Sequence, residues 1–547
     1  MVMLNYSLDE MNEALGKKLK ITDYERIALR FGLDLDVGDD MLDFELTSDR
    51  TDIVSKYSLA QIFASQLGIK IKRHVSIGRE KPGVLVEKTA REFVNLIHVV
   101  LDDRAEKNLS EILAIQERLD KNVGRNRKKS AIGLFDYEKI AFPITYREIG
   151  KDKVEFIPLG YSSSKNYDDI IRDVKQAIEY RQLIPRKPIA WLDSSNNIIA
   201  MPPIINADRY SVTADTKELL IDVTGPDRET VNAVTKILMY NFQFLGKVSI
   251  IAASYKNKAI STGFSIDTHG FYLNEDSIKS VLGNKISQKQ AVKILSASDY
   301  TVKTQGKDIF VKPPFYRQDV MHQVDIIDDI MRAFGVDNIT ETIPHTYTEG
   351  SFLPNHYFVQ NIKEILIGFG YQEIDINALT NEKYQFLNTF INGEDYVSLL
   401  QLKSGDVTMA SRYIFPELLR LISNNLHKKF PQKIFSLSEV VQEGESDVTF
   451  ENRLKLSLVS CEKDSNVTDV LSIIKKVLAD SFMTKDISTG YVSAKYAKTF
   501  INGRAYTLIV NGKEIGVAGE VHPRVLNSFG IELPVSLAEI YIDGFTR

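Results

Sequence analysis

Apolar residues recur along the chain at two spacings, alternating in some stretches and returning every three or four residues in others, and the succession of the two predicts the elements. Met41-Leu-Asp-Phe-Glu-Leu-Thr47 alternates apolar and polar side chains, the period of a half-buried strand, and runs into the polar turn Ser48-Asp-Arg-Thr-Asp52. A helix through Ala28 and Leu29 precedes it, capped by Thr22 or Asp23, and a second helix from Ser58 to Leu67 follows and ends at Gly68. Further on, strand patterns such as Val94 to Leu101 and Leu219 to Val223 alternate with helical ones such as Ser110 to Leu119. Ser287 and Gln290 have the spacing of a capping box ahead of Ala291, Val292, Ile294 and Leu295. The last part opens with an amphipathic helix carrying Phe358, Ile362, Ile365, Leu366 and Phe369. It closes with strands at Tyr506 to Val510 and Ala538 to Ile542, around Gly516-Val-Ala-Gly-Glu-Val-His-Pro523. These patterns predict an α+β multidomain chain. Its parts are a small N-terminal α/β unit over 1–78, a larger α/β domain over 79–264, a compact helical unit over 265–345 and a strand-rich domain over 346–547.

Length agrees with that division, because 547 residues exceed what one core organises. A hydrophobic content of 44% with 26% charged residues is that of an ordinary globular protein. The net charge of −5 excludes a global positive field, so any nucleic-acid contact must come from a local patch. One patch stands out: Gly124-Arg-Asn-Arg-Lys-Lys129 carries four positive charges just before the apolar stretch Ala131-Ile-Gly-Leu-Phe135. It reads either as a solvated loop or as a phosphate-contacting arm, with Arg125, Arg127 and Lys128 as the contacts. The single cysteine, Cys461, excludes a disulfide within the chain and a cysteine-based zinc site, which fits a reducing cytoplasm. No secretory signal opens the chain and no run approaches the length of a membrane span, so the expected location is cytoplasmic.

The common ready-made catalytic motifs are missing: no phosphate loop of the Walker type, no G-x-G-x-x-G, no H-E-x-x-H and no G-x-S-x-G. His98 lies in the apolar run Leu96 to Leu101 and reads as a satisfied core imidazole. Chemistry is concentrated instead in Arg317-Gln-Asp-Val-Met-His-Gln-Val-Asp-Ile-Ile-Asp-Asp329. On a helix from about Met321, Asp325 shares a face with Asp328 and Asp329, and Asp319 precedes it by about a turn. Like charges at those spacings cost roughly 0.2 to 0.5 kcal/mol each on an exposed helix. Either a hard cation offsets that cost, and magnesium suits oxygen-only ligands, or the face is solvated and partly neutralised by Arg332 and His322.

Several stretches together resemble one known family, the β subunit of phenylalanyl-tRNA synthetase in its shorter archaeal and eukaryotic cytosolic form. They are Glu45 to Ser55, Ala131 to Ile140, Met201-Pro-Pro-Ile-Ile-Asn206, Leu220-Ile-Asp-Val-Thr-Gly225, Pro314 to Asp329 and Phe334-Gly-Val-Asp-Asn-Ile339. The resemblance spans nearly the whole chain. It implies that residues 79–264 are an editing, tRNA-binding domain and that 265–345 are winged-helix-like, with Asp319, Asp325, Asp328 and Asp329 as Mg2+ ligands near the catalytic α subunit. Relatives often have Glu where this chain has Asp328. Residues 346–547 would be a degenerate class II synthetase domain with an antiparallel sheet. The arginine of the second class II signature is missing from Phe435-Ser-Leu-Ser-Glu-Val440, and Val535-Ser-Leu-Ala-Glu539 stands where the third is expected. ATP and phenylalanine would then be bound by the α subunit of an α2β2 heterotetramer acting on tRNA(Phe).

The same resemblance implies hydrolysis of tyrosine wrongly esterified to tRNA(Phe), with Asn206 and Asp222 as polar positions of the editing pocket. The stretch from Lys81 to Phe264 has no cysteine and no histidine besides His98, so a positioned water fits better than a covalent intermediate. Two other functions remain open from the sequence: a free-standing hydrolase of mischarged tRNA, and an assembly scaffold that does not edit.

Overall fold

A computed structural model describes residues 2–38, 40–256, 262–283, 286–341, 343, 348–353, 355–392, 395–400, 406–444, 450–482 and 487–543. The chain is a mixed α+β protein with several sheets and separates into two compact units, 1–344 and 345–547.

In the first unit, strand Met41–Leu46 pairs antiparallel with Val2–Ser7 on one side and Asp34–Val37 on the other. Its alternation is real: Leu42, Phe44 and Leu46 are buried, and the rings of Tyr24 and Phe63, from helices Ile21–Phe31 and Lys56–Leu67, pack edge-on in the same core. The first of these helices starts earlier than Thr22 or Asp23. Lys20 is the N-cap, and Asp23 reaches back from the third helical position to accept its backbone N–H at 3.2 Å. The second begins at Lys56 behind Ser55 and stops at Gly68, whose φ of +65° is one that residues with a Cβ rarely adopt.

Two sheets follow. The five-stranded one runs in the order Ile77–Glu80, Gly246–Ile251, Phe93–Leu101, Glu218–Gly225, Ala131–Asp136, and the six-stranded one Ile205–Asn206, Ile198–Met201, Ile189–Leu192, Ile144–Glu148, Val84–Val86, Ser254–Tyr255. Period two sorts the strand Glu218–Gly225. Leu219, Ile221 and Val223 join the core formed with helices Leu109–Lys121 and Arg228–Phe242, whereas Leu220 joins the core of the six-stranded sheet. Asp222 and Thr224 therefore stand on the face directed into the seam between the sheets, where apolar side chains are the rule. Strands Ile189–Leu192 and Ile198–Met201 are buried at every position, which removes the alternation that would have revealed them.

The stretch expected to be a compact helical unit also contains a sheet, Phe271–Asn274, Asp308–Lys312 and Thr301–Gln305, beside helices Glu275–Leu282, Gln288–Ala297 and Gln323–Phe334. The strand Thr301–Gln305 is almost entirely exposed and polar, so no apolar period marks it. The Ser287 and Gln290 capping box is formed.

Buried charges tie these parts of the first unit together. Arg317 grips Asp319 at 2.7 to 3.1 Å and Asp329 at 2.7 and 3.2 Å, with all three side chains largely removed from water. Tyr300 Oη donates to Asp329 at 2.5 Å. Nearby, Arg50 pairs in bidentate fashion with Asp52, and Asp299 takes Arg73 at 2.7 Å and Tyr316 Oη at 2.9 Å. The Tyr316 ring stacks on Tyr240 with centroids 3.5 Å apart.

The second unit is built on a seven-stranded sheet in the order Gln372–Glu373, Gln432–Glu443, Phe450–Cys461, Val535–Tyr541, Lys513–Val521, Phe500–Val510, Ile487–Tyr491. Only the first pair in that order is parallel. Helices His356–Gly368 and Val467–Phe482 cover one face through Ile362, Leu366, Val470 and Ile474, and helix Phe415–Asn424 covers the other through Leu418, Leu419 and Ile422.

Replacing Arg317 by Met leaves two carboxylates buried without their cation. The expected loss is about 3 to 5 kcal/mol of unfolding free energy in urea denaturation. Arg317→Lys should recover little of it, because one ammonium does not reproduce the forked contacts. A loss below about 1 kcal/mol would mean that water reaches both acids.

Candidate functional site

A cavity of about 280 Å³ opens at the seam between the two large sheets of the first unit. Its wall is largely apolar, with Leu134, Leu159, Pro203 and Ile204 among its residues, and Asp222, Thr224, Asn206, Gln176 and Arg127 also line it. Asp222 lies opposite Gly133 on the neighbouring strand Ala131–Asp136. A Cβ at 133 would collide with Asp222 Oδ1, so the carboxylate occupies space that only glycine leaves. Its Oδ2 accepts the indole N–H of Trp191 at 3.1 Å.

Three polar atoms on the wall are buried and unpaired: Asp222 Oδ1, Thr224 Oγ1 and Gln176 Oε1. An unmet buried polar group costs about 1 to 3 kcal/mol, so three together mark a place meant for water or a ligand with donors. Asp222 is 2% exposed, and that burial pushes its carboxyl up to about 7, assisted by the Asp120 charge and opposed by the Trp191 hydrogen bond, by the nearby Gly133 N–H, which falls short of hydrogen-bond geometry to Oδ1, and by Arg91.

The residues expected to contact tRNA do not stay together. Residues 125, 126 and 127 follow one another with φ of 50°, 52° and 62°, a strained turn beyond helix Leu109–Lys121. Arg125 and Lys128 are exposed on it. Arg127 turns inward: its Nε donates to Asp120 at 3.1 Å, one terminal nitrogen donates to the carbonyls of Pro203 and Ile204 at 3.1 Å each, and its plane lies 4.6 Å from the Tyr180 ring centre. Its guanidinium thus has partners within the protein while it lines the cavity. Asn206 lines the cavity and donates to the Leu134 carbonyl at 3.3 Å.

Trp191, Thr224, Gln176 and Asp120 were not foreseen from the sequence. Trp191 sits in an unbroken apolar run, and Asp120 ends a helix whose polar residues look alike in sequence. A signal did exist for Asp120, since it stands four residues after Gln116, on the same helix face. His98 meets the expectation of a satisfied core imidazole. Its two nitrogens face Glu80 at 3.0 Å and Glu218 at 2.9 Å, and its ring stacks on Tyr137.

The four carboxylates expected to share a metal are not brought to one point. Asp319 and Asp329 are both taken by Arg317, Asp328 pairs with Arg332 at 2.7 Å, and Asp325 accepts the backbone N–H groups of Met321 and His322 at 2.8 and 2.7 Å. The helix begins at Gln323 with His322 as N-cap, which makes Asp325 its capping-box residue. Among the described residues, no group of three or more His, Cys, Asp or Glu side chains is arranged to hold a metal ion. The physical reason is Arg317, whose guanidinium supplies from within the chain the positive charge that the crowding demands. Asp325 and Asp328 remain one helical turn apart, and they suit an ion that keeps its waters and takes one or two carboxylates. Asp319 and Asp329 do not.

In the second unit, the sheet carries a closed ion pair between strands Phe450–Cys461 and Val535–Tyr541. Lys455 Nζ lies 2.8 Å from Glu539 Oε1, both side chains being 3% exposed. The other Glu539 oxygen accepts the backbone N–H groups of Ile414 and Phe415 at 2.8 and 2.9 Å. Lys455 also donates to the Arg412 carbonyl and lies between the rings of Tyr413 and Tyr541. Every charge there is met by the protein itself. No described helix is long and apolar enough to cross a membrane.

Comparisons with known proteins place these features. Residues 271–336 match the tRNA synthetase B5 domain, and residues 339–542 match the phenylalanyl tRNA synthetase beta chain CLM domain. The phenylalanine–tRNA ligase beta subunit of Pyrococcus abyssi is 31% identical over 80% of this chain and 78% of its own length. Its counterpart from Archaeoglobus fulgidus is 29% identical over 98% of this chain and 97% of its own length. An N-terminal fragment of the phenylalanyl-tRNA synthetase beta-subunit from Pyrococcus horikoshii superposes with a TM-score of 0.55 at 25% identity, covering 61% of this chain and 99% of the fragment.

The raised Asp222 carboxyl has a measurable consequence. Below about pH 4 it is protonated whether the chain is folded or not; between about 4 and 7 only the folded chain keeps the proton, so this contribution to stability is lost as pH rises through 7. Asp222→Asn keeps an acceptor for Trp191 and has no such proton to lose. Its stability relative to the wild type should therefore increase from pH 5 to pH 8 by more than about 1 kcal/mol in urea denaturation. A difference independent of pH would show that Asp222 titrates as an ordinary carboxylate.

Proposed function

This chain belongs to the family of phenylalanine–tRNA ligase β subunits, part of a heteromeric aminoacyl-tRNA synthetase, and from that premise we propose that the cavity between its two large sheets hydrolyses tyrosine wrongly esterified to tRNA(Phe). The observation that carries this reading is the unpaired Asp222 Oδ1 on a mostly apolar wall. A phenolic hydroxyl donates to it. A phenylalanine ring leaves it unmet, and a site built around such a hydrogen bond rejects the analogue lacking the hydroxyl by a factor on the order of 10⁴. The cavity thus takes the group that a phenylalanine-activating site excludes poorly.

Hydrolysis needs little more than orientation, because an aminoacyl ester is already labile. A water held among Asn206, Thr224 Oγ1 and Gln176 attacks the ester carbonyl carbon. The bond to the terminal ribose oxygen breaks, that oxygen takes a proton, and tyrosine and the tRNA leave. The exposed Arg125 and Lys128 hold the acceptor end by its phosphates, while Arg127 braces the turn that carries them. Magnesium would be held by Asp325 and Asp328 and would supply positive charge to the acidic part of helix Gln323–Phe334.

Activation of phenylalanine with ATP falls to the α subunit, in a heterotetramer of two α and two β chains. Support for that division comes from the second unit, where the buried Lys455 is paired with Glu539 and is not left open for an α-phosphate. A free-standing hydrolase or an assembly scaffold without editing are the alternatives that the test separates.

Co-expression with the α subunit of the same organism should give a stable complex that charges tRNA(Phe) and hydrolyses tyrosyl-tRNA(Phe). Asp222→Ala should lower hydrolysis by at least about 100-fold and leave charging with phenylalanine unchanged. Absence of a complex would sink the subunit reading, and a wild-type complex without hydrolysis would leave a scaffold. In the same assay, Arg125→Ala with Lys128→Ala should flatten the dependence of log Kd for tRNA on log salt by about 1 to 2. An unchanged slope would mean that these two side chains meet no phosphate.

A further inference from the structure

The strand Ala131–Asp136 is the edge of its sheet, so its outward peptide groups need partners from elsewhere. Helix Leu109–Lys121 provides them at Ile132: Gln116 donates to its carbonyl at 2.6 Å, and Asp120 Oδ1 accepts its N–H at 3.0 Å. A neutral amide at 120 would serve that purpose equally well. The chain instead places there a carboxylate that is 4% exposed, pushed up by burial to about 7 although Arg127 and the Ile132 N–H act against the rise. Capping a strand edge does not explain that expense.

Its surroundings do. Ile132 is next to Gly133, whose α-carbon is pressed against the Asp222 carboxylate across the strand pair. Asp120 therefore approaches Asp222 from behind the cavity wall and is not itself among the lining residues. The other ionisable or polar groups around Asp222 are Arg91, which donates to the Thr224 carbonyl, Tyr146, which donates to the Arg91 carbonyl, and Trp191. Arg127 joins Asp120 to the opposite side of the cavity through the Pro203 and Ile204 carbonyls.

We propose that Asp120, braced by Arg127, is a positioning residue whose charge governs whether Asp222 meets a ligand as a hydrogen-bond acceptor. It rests on the proposed hydrolysis of tyrosyl-tRNA only in what the ligand is; the coupling itself belongs to the two carboxylates. A charged Asp120 makes the proton on Asp222 harder to lose, and Arg127 helps to keep Asp120 charged.

Two variants change the charge beside Asp222. Asp120→Asn keeps the acceptor for the Ile132 N–H and removes the negative charge; the midpoint at which Asp222 ionises should fall by about one pH unit. Arg127→Gln keeps donors for the two carbonyls and removes the cation that holds Asp120 ionised, so Asp120 keeps its proton to higher pH and the Asp222 midpoint should fall as well. Two readouts follow the midpoint: carboxyl ¹³C NMR of the full-length chain labelled at aspartate, with Asp222→Asn identifying the signal, and the pH profile of tyrosyl-tRNA(Phe) hydrolysis by the αβ complex, corrected for spontaneous hydrolysis. If Asp120→Asn leaves the Asp222 midpoint unchanged or raises it, or if Arg127→Gln raises it, the proposal is overturned. If the signal moves as expected but the complex does not hydrolyse tyrosyl-tRNA, the coupling stands and the hydrolytic reading fails. If Asp222→Asn abolishes hydrolysis while Asp120→Asn leaves the profile in place, the reverse holds.

Discussion

The constraint on which the first unit turns is the burial of charge between packed layers. A carboxylate taken out of water must be paired, protonated or reserved for something that arrives later. The unit contains all three solutions. Asp329 is paired: burial alone would raise it, but the Arg317 charge outweighs that and holds it below the usual carboxylate range. Asp222 sits near its own midpoint at neutral pH, with one oxygen bonded to Trp191 and the other unmet. Asp120 lies between these cases, bonded at both oxygens and still raised. Where a site exists, it is where the protein has left the account open.

Much of this was legible in the sequence, because burial leaves a mark on periodicity. An acid inside Leu219 to Val223 interrupts an otherwise apolar strand, although Asp222 was singled out through the family resemblance and not on that ground. Its direction was not legible: only the assembled sheets show that Leu220, Asp222 and Thr224 face the seam while their alternating neighbours face the helices. Strands buried on both faces, Ile189–Leu192 above all, carry no period to read, and with them Trp191 was lost. Asp120 and Arg127 form a local pair seven residues apart, but their value depends on the strand edge and on the carbonyls of residues 203 and 204, which chain position does not foretell.

The acidic segment teaches a related point. Two cations meet the crowded carboxylates, Arg317 and Arg332. Spacing along the helix found Arg332 but not Arg317, because Arg317 precedes the helix and reaches Asp329 across twelve positions of sequence. A guanidinium with five donors in a fixed fork satisfies two carboxylates at once, which a point charge does not.

Satisfaction is also what separates the two candidate centres of this chain. In the second unit, Lys455 and Glu539 are more thoroughly buried than most charges in proteins, yet each has its partners: the ion pair, two backbone N–H groups, a carbonyl and two aromatic faces. A ligand entering there would have to break a completed set of bonds before making its own, so the arrangement works as a keystone for helix Phe415–Asn424 against the sheet. The cavity of the first unit has the opposite character. Its unpaired oxygens on Asp222, Thr224 and Gln176 reduce the stability of the chain alone and return that free energy only when a molecule with matching donors occupies the space. Burial and charge are common to both centres, and the unmet hydrogen bond is what distinguishes the first.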